Sequence, residues 1–163
     1  MKRLFRKVNY KYSRFICPCC GYPTLDSNAE YDICIMCNWE DDGQGDEDAD
    51  IVSGGPNGDY SLSQARINFA KYMCMYEPGR DMRISGGDTP SELKLKMKLK
   101  EAYDVIGDYS KLGFYKKQYK KILALEEELN KLSRLKTEAL IFQKKRPTPD
   151  NNISPFVRVS KSL

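Results

Sequence analysis

Two cysteine pairs, Cys17/Cys20 and Cys34/Cys37, stand in a 163-residue chain that contains no histidine. A Cys-x-x-Cys turn presents two thiolates to one ion, and two such turns supply the roughly four ligands a tetrahedral zinc site takes. Thirteen residues separate Cys20 from Cys34, among them Gly21, Pro23 and the turn-prone "DSN". That spacing predicts a hairpin-like arrangement in which the two turns face one another. Lacking histidine, the chain must build any metal site from sulfur or carboxylate. It also has no Ser-His or Cys-His nucleophile and no imidazole base. Cys17, Cys20, Cys34 and Cys37 are therefore the expected ligands of one zinc ion. Cys19, inside the first turn, is expected to point elsewhere, as a spare thiol or an alternate ligand. Cys74, in "KYMCMYE", is expected to pack in the core.

Other uses of the thiols are weaker. A disulfide framework belongs to secreted chains, and the start "MKRLFRKVNYKYSRF" is basic and aromatic without the apolar middle of a secretion signal. The expected location is the cytoplasm. Thiols packed without metal remain open, because cysteine packs well as a small hydrophobe. A redox dithiol would sit in a βαβ context that is missing here. Iron suits a sulfur-only tetrahedron but ranks behind zinc. A zinc deaminase needs a catalytic glutamate beside one ligand and a proline before the second pair; "DICIMC" has no such proline. A closed four-sulfur site leaves no position for water, so it stabilises rather than catalyses. The chain is thus read as a non-enzyme.

Charge divides the chain in three. Met1 to Ile16 has six basic and no acidic residues, Cys17 to Leu62 eleven acidic and no basic, and Ser63 to Leu163 twenty-one basic and twelve acidic. Four bound thiolates would add to the negative middle, which would repel a phosphate backbone. The expected partner is accordingly a protein, a basic surface being the complementary one. The alternative is nucleic-acid association through the basic arm and Lys116, Lys117, Lys120 and Lys121, with Tyr10, Tyr12 and Tyr115 available for stacking. A thiol redox protein is the third reading. "EDDGQGDEDAD", with seven carboxylates between Glu40 and Asp50, lacks the regular ligand spacing of a calcium loop. No apolar run approaches the roughly 20 residues of a membrane span, so no membrane partner is expected.

Apolar residues make up 40% of the chain and charged residues 31%, a lean core that a metal or long helices would have to support. "SLSQARINFAKYM" reads as a helix, with Ser61 as N-cap and Gln64 completing a capping box. In "DTPSELKLKMKLKEAYDVIGDY" the lysines alternate with Leu93, Leu95, Met97 and Leu99 like a strand. Thr89, Pro90 and Glu92 nevertheless supply a cap, a first-turn proline and a capping-box acid, and helix is the reading adopted. From Lys111 to about Lys145 apolar residues recur every three or four positions, from Tyr115 through Ile122, Leu129 and Leu135 to Phe142. This predicts a long amphipathic helix with a coiled-coil-like seam, folded back on its predecessor at Gly107 and Gly113.

The expected class is α+β: a small zinc-ribbon-like β module, a packed helix and an α-helical hairpin. The expected boundaries are 1–16 for a basic arm, 17–76 for the cysteine module, 88–146 for the hairpin and 147–163 for an extended tail in which "FVRV" could add an edge strand. Trp39, the only tryptophan, is expected to cover the metal turn as core rather than to anchor an interface.

The segments "CPCCGYPTL", "YDICIMCNWEDDG", "GGPNG" and "SLSQARINFAKY" together resemble the bacterial cysteine-rich CPCC family over about residues 15–72. The resemblance implies a small zinc-binding module of unassigned biochemical role. Its members look like stand-alone bacterial proteins, some in toxin–immunity or mobile-element neighbourhoods. It carries over no catalytic residue, and the expected task is that of an interaction module, immunity-like or regulatory. The lysine-rich helices beyond about Tyr76 inherit nothing from it.

Overall fold

The structure is a computed structural model, and it describes residues 14–109, 111 and 115–145. Regular structure among them is almost wholly helical: α1 (Leu62–Tyr72), α2 (Pro90–Asp104) and α3 (Lys116–Lys144), preceded by a single 3-10 turn at Gly55–Asn57. The expected β module is not formed. Two isolated antiparallel bridges, Phe15 with Leu25 and Ile33 with Glu40, are the whole of the β pairing among the described residues. The reason lies in local geometry. Pro18 and Pro23 cannot donate to a ladder, and Ala29, Tyr31 and Asn38 take left-handed φ values of 57°, 64° and 67°. The turns at 18–20 and 35–37 take up much of what lies between these breaks, so pairing stops at one bridge beside each turn. The "FVRV" strand and most of the basic arm fall outside the described residues.

The helix starts follow the sequence closely. Thr89 Oγ1 accepts from the Glu92 N–H while Glu92 Oε2 accepts from the Thr89 N–H, a full capping box with Pro90 in the first turn. The lysine–leucine alternation is therefore helical. At α1 only half the expected box forms. Ser61 Oγ accepts from the Gln64 N–H, but the Gln64 side chain turns to Asn68 Oδ1 at 3.0 Å instead of back to the cap.

Antiparallel packing of α2 on α3 is fixed at both ends. Gln118 Nε2 donates to the Ala102 carbonyl at 2.7 Å, and Lys136 Nζ reaches Glu92 Oε2 at 2.8 Å and the Gly87 carbonyl at 3.1 Å. At 1.5 Å per residue, α2 spans about 22 Å and α3 about 43 Å. The mismatch explains which seam residues are buried. Tyr119, Ile122 and Leu129 lie under α2 and are buried, whereas Leu135 and Phe142, near or beyond its start, are exposed. One apolar cluster unites the halves of the chain. It contains Cys17, Leu25, Met36, Cys37, Trp39 and Met75 together with Leu95, Leu99, Tyr103, Ile122 and Leu129. Trp39 is fully buried, as core. Among the described residues no helix is long and apolar enough to cross a membrane.

Candidate metal centre

The two cysteine pairs adopt the same turn. In the first, the Cys17 N–H donates to the Tyr22 carbonyl and the Gly21 N–H to the Cys17 carbonyl, both at 2.9 Å. In the second, the Cys34 N–H donates to the Trp39 carbonyl at 2.9 Å and the Asn38 N–H to the Cys34 carbonyl at 2.8 Å. The residue after each second cysteine is left-handed, Gly21 at φ 78° and Asn38 at φ 67°. That conformation suits glycine and, after it, asparagine.

Facing each other, the turns bring Cys17, Cys20, Cys34 and Cys37 together, with their sulfurs all within 4.8 Å of one another. Cys17 Sγ lies 3.6 Å from Cys37 Sγ, and Cys20 Sγ 3.6 Å from Cys34 Sγ. A tetrahedron with metal–sulfur bonds near 2.3 Å has edges of about 3.8 Å, so the four thiols fit one metal ion. Disulfide bonding is excluded at these separations, since S–S is about 2.05 Å, and all six cysteines are free thiols. Cys17, Cys34 and Cys37 are fully buried and Cys20 is half-buried. Cys19 is buried but stands outside the group of four.

Groups from the chain face the sulfurs. Thr24 Oγ1 is 2.9 Å from Cys34 Sγ, and the Trp39 N–H donates to Cys37 Sγ at 3.5 Å. Burial works against a thiolate at Cys34, but hydrogen bonds from Cys17, Cys20, Cys37 and Thr24 outweigh it and hold this thiol well below its usual range. Burial, first of all, pushes the Cys20 and Cys37 thiols up. At Cys17 the hydrogen bond with Cys20 lowers the value, but those with Cys34 and Cys37 and burial together raise it. Four buried thiols that cannot all ionise side by side are what a cation resolves, because a metal ion displaces the protons and takes the thiolates as ligands.

Residues far along the chain reach this site. Lys96 of α2, only 2% exposed, donates from Nζ to Asn38 Oδ1 at 2.9 Å and pairs with Asp88. Arg83 pairs with the other Asp88 oxygen at 2.9 Å and with Asp81. Cys74 is buried as expected, with its Sγ donating to Asn38 Oδ1 at 3.6 Å and lying 3.7 Å from Arg83 Nη2. A second anchor joins α3 to the start of the module. Glu126 Oε1 accepts from Arg14 Nη1 at 2.7 Å and from the Tyr103 hydroxyl at 2.6 Å. Burial pushes the Glu126 carboxyl up, and Arg14 and Tyr103 offset only part of that. Asn38, Lys96 and Thr24 are absent from the sequence reading. Asn38 alone carried a signal, because it fills the position that Gly21 fills in the first turn.

Three carboxylates of the acidic loop, Asp41, Asp42 and Asp48, accept from backbone N–H groups. Asp41 accepts from the Ala29 N–H, Asp42 from the Gln44 N–H and from Asn57, Asp48 from the Gly45 N–H, and Asp46 pairs with Arg66 at 2.7 Å. Among the described residues the four cysteines form the one group of three or more metal-ligating side chains, so this loop gathers no cation site.

Fold and site together define a helical protein built over a paired-turn, four-thiol cluster that fits a metal-binding module. Residues 15–85 match the model of the family described as Cysteine-rich CPCC. The match runs past Tyr72, where the recognised motifs end, to the middle of the Asp81–Arg83–Asp88 cluster. No curated protein and no solved structure matches the chain.

Proposed function

We propose that the chain is a zinc-stabilised, non-enzymatic interaction module of the reducing cytoplasm. The observation that carries the reading is the closed set of four sulfurs, spaced as the edges of one tetrahedron. Sulfur at every corner favours a structural ion, since no position remains for a reacting water. Zinc is the ion of choice; iron is accommodated by the same donors and is an outcome of the test. The partner is a protein, met by the helical extension or by what remains of the acidic loop. Glu47 and Asp50 are the exposed carboxylates there for which no local role emerges. An immunity-like or regulatory task fits such a module. Native mass spectrometry of the purified protein tests the reading. One zinc per chain, lost together with the cooperative thermal transition in strong chelator, is expected; a metal-free chain that melts identically with and without chelator would overturn it.

A second reading draws on a separate observation. Lys116, Lys117, Lys120 and Lys121 open α3, all exposed and none ion-paired to a described residue. The first turn of a helix is where the macrodipole disfavours cations, and nucleic-acid phosphates would relieve that clustering. Retention on a DNA or RNA column that falls with salt and disappears on neutralising these four lysines supports it. No retention at low salt eliminates it.

A further inference from the structure

We propose that Lys96 of α2 is a positioning residue for the four-cysteine metal centre, acting through Asn38. The inference rests on the reading of the cluster as a metal centre and assigns a role to a helix that starts beyond the segment matched by the family model. The two cysteine turns share their backbone hydrogen bonds and their left-handed residue, yet only the second has a side chain at that residue. Asn38 Oδ1 receives the Lys96 ammonium at 2.9 Å and the Cys74 thiol at 3.6 Å. The Met75 N–H adds a bond to the Cys37 carbonyl at 2.7 Å. The turn is thus gripped on both sides of the Cys37–Asn38 peptide.

The grip bears directly on a sulfur. Asn38 sits between Cys37 and Trp39, and the Trp39 N–H is the group that donates to Cys37 Sγ. Fixing the left-handed asparagine fixes the direction of the next N–H, and so the place of the Cys37 sulfur. The clamp is itself rigid. The Lys96 side chain is 2% exposed and that of Asp88 6%, and Arg83 braces Asp88 from the other oxygen. Burial pushes the Asp88 carboxyl up, but Lys96 and Arg83 more than offset this and hold it below the usual carboxylate range, so the aspartate stays charged. A buried ammonium with one carboxylate and one amide oxygen is oriented rather than mobile. Partners that orient metal ligands from behind are worth roughly tenfold to a hundredfold in metal affinity.

The test is a double-mutant cycle read with cobalt(II), whose thiolate charge-transfer absorption reports the sulfur geometry. Asn38→Gly keeps the left-handed turn and removes only the clamp; Lys96→Met removes the other partner; Lys98→Met, exposed on the same helix, is the control. Each of the first two is expected to weaken cobalt binding against a competing chelator by roughly tenfold and to alter the charge-transfer band. The double variant is expected to lose no more than the weaker single variant, and Lys98→Met to match wild type. A role for Lys96 in packing alone would leave Asn38→Gly at wild-type affinity and spectrum, and that result overturns the inference, as do additive losses. Should Lys96→Met not fold, Asn38→Gly decides by itself. A wild-type chain that takes up no cobalt sinks the metal reading, and the clamp with it, which separates the two failures.

Discussion

Cys17–Gly21 and Cys34–Asn38 fold the same turn by different means. The first closes with a glycine, which needs no help to be left-handed, and its hydrogen bonds run to near neighbours in sequence. The second closes with an asparagine whose side chain is held by Lys96, 58 residues away. One half of the site is therefore written locally, whereas the other depends on the tertiary placement of α2. A metal ion gripping both turns would weld a local element to a long-range one.

The most severe way to break the comparison is to remove a ligand from either turn. Cys17→Ser and Cys34→Ser are both expected to abolish metal retention and the cooperative thermal transition, a loss on the order of 10 kcal/mol, the scale of structural zinc sites. Cys19→Ser, outside the cluster, is expected to keep full metal content in the same mass-spectrometric assay. A Cys34→Ser chain that still melts cooperatively with metal bound would show the turns to be independent.

Next in size is Asp88→Asn, which strips Lys96 and Arg83 of their shared carboxylate. Unpairing a buried charge costs about 3 kcal/mol. Amide exchange at Asn38 and Trp39 is expected to accelerate, while that at Gly21 stays at the wild-type rate; equal acceleration at both turns would erase the distinction. The same pair gives a pH dependence. Lys96 and Arg83 hold Asp88 low against the pull of burial, so its contribution is complete above the unfolded carboxyl value of about 3.9 and is lost as pH falls through the folded value. In urea unfolding, wild type and Asp88→Asn should differ most near neutrality and converge as pH falls below the unfolded carboxyl value.

Smaller again is Thr24→Val, which removes the hydroxyl facing Cys34 Sγ at 2.9 Å. About 1.5 kcal/mol, the worth of a hydrogen bond to a charged acceptor, is expected to disappear from the metal-bound state, read as faster zinc transfer to a chromogenic chelator. An unchanged transfer rate would mean that the hydroxyl serves only the backbone. The mildest change is Gly21→Asn, which gives the first turn the residue of the second without its lysine. Asparagine tolerates the left-handed conformation, and no atom lies within 4 Å of where a Cβ would stand. A cost under about 1 kcal/mol should appear as a shift of a few degrees in the melting temperature.

Much of this could be read from the chain. The four-cysteine cluster follows from two short spacings, and α2 from the Thr89–Glu92 box, because both are local. The β ribbon fails because hairpin-like spacing between the cysteine pairs suggests strand pairing, whereas the two cysteine turns and the left-handed residues between them leave only single bridges. Lys96 was illegible for a different reason. It is one of four lysines in "KLKMKLK", and nothing in that pattern tells which one enters the core. The acidic loop resembled an open surface because a carboxylate bonded to backbone N–H groups is spelled like a solvated one.

The apolar cluster shared by the cysteine turns and the two long helices has a bearing on evolution as well as on protein engineering. Tyr22 packs its ring at a tilt against Tyr103 and Tyr109 and donates to Asp104, all of them past residue 85. A chain that lost these helices would have to find new neighbours for Tyr22 and Asn38 at the same time. Replacing the helices by unrelated ones would strip both residues of their neighbours at one cut.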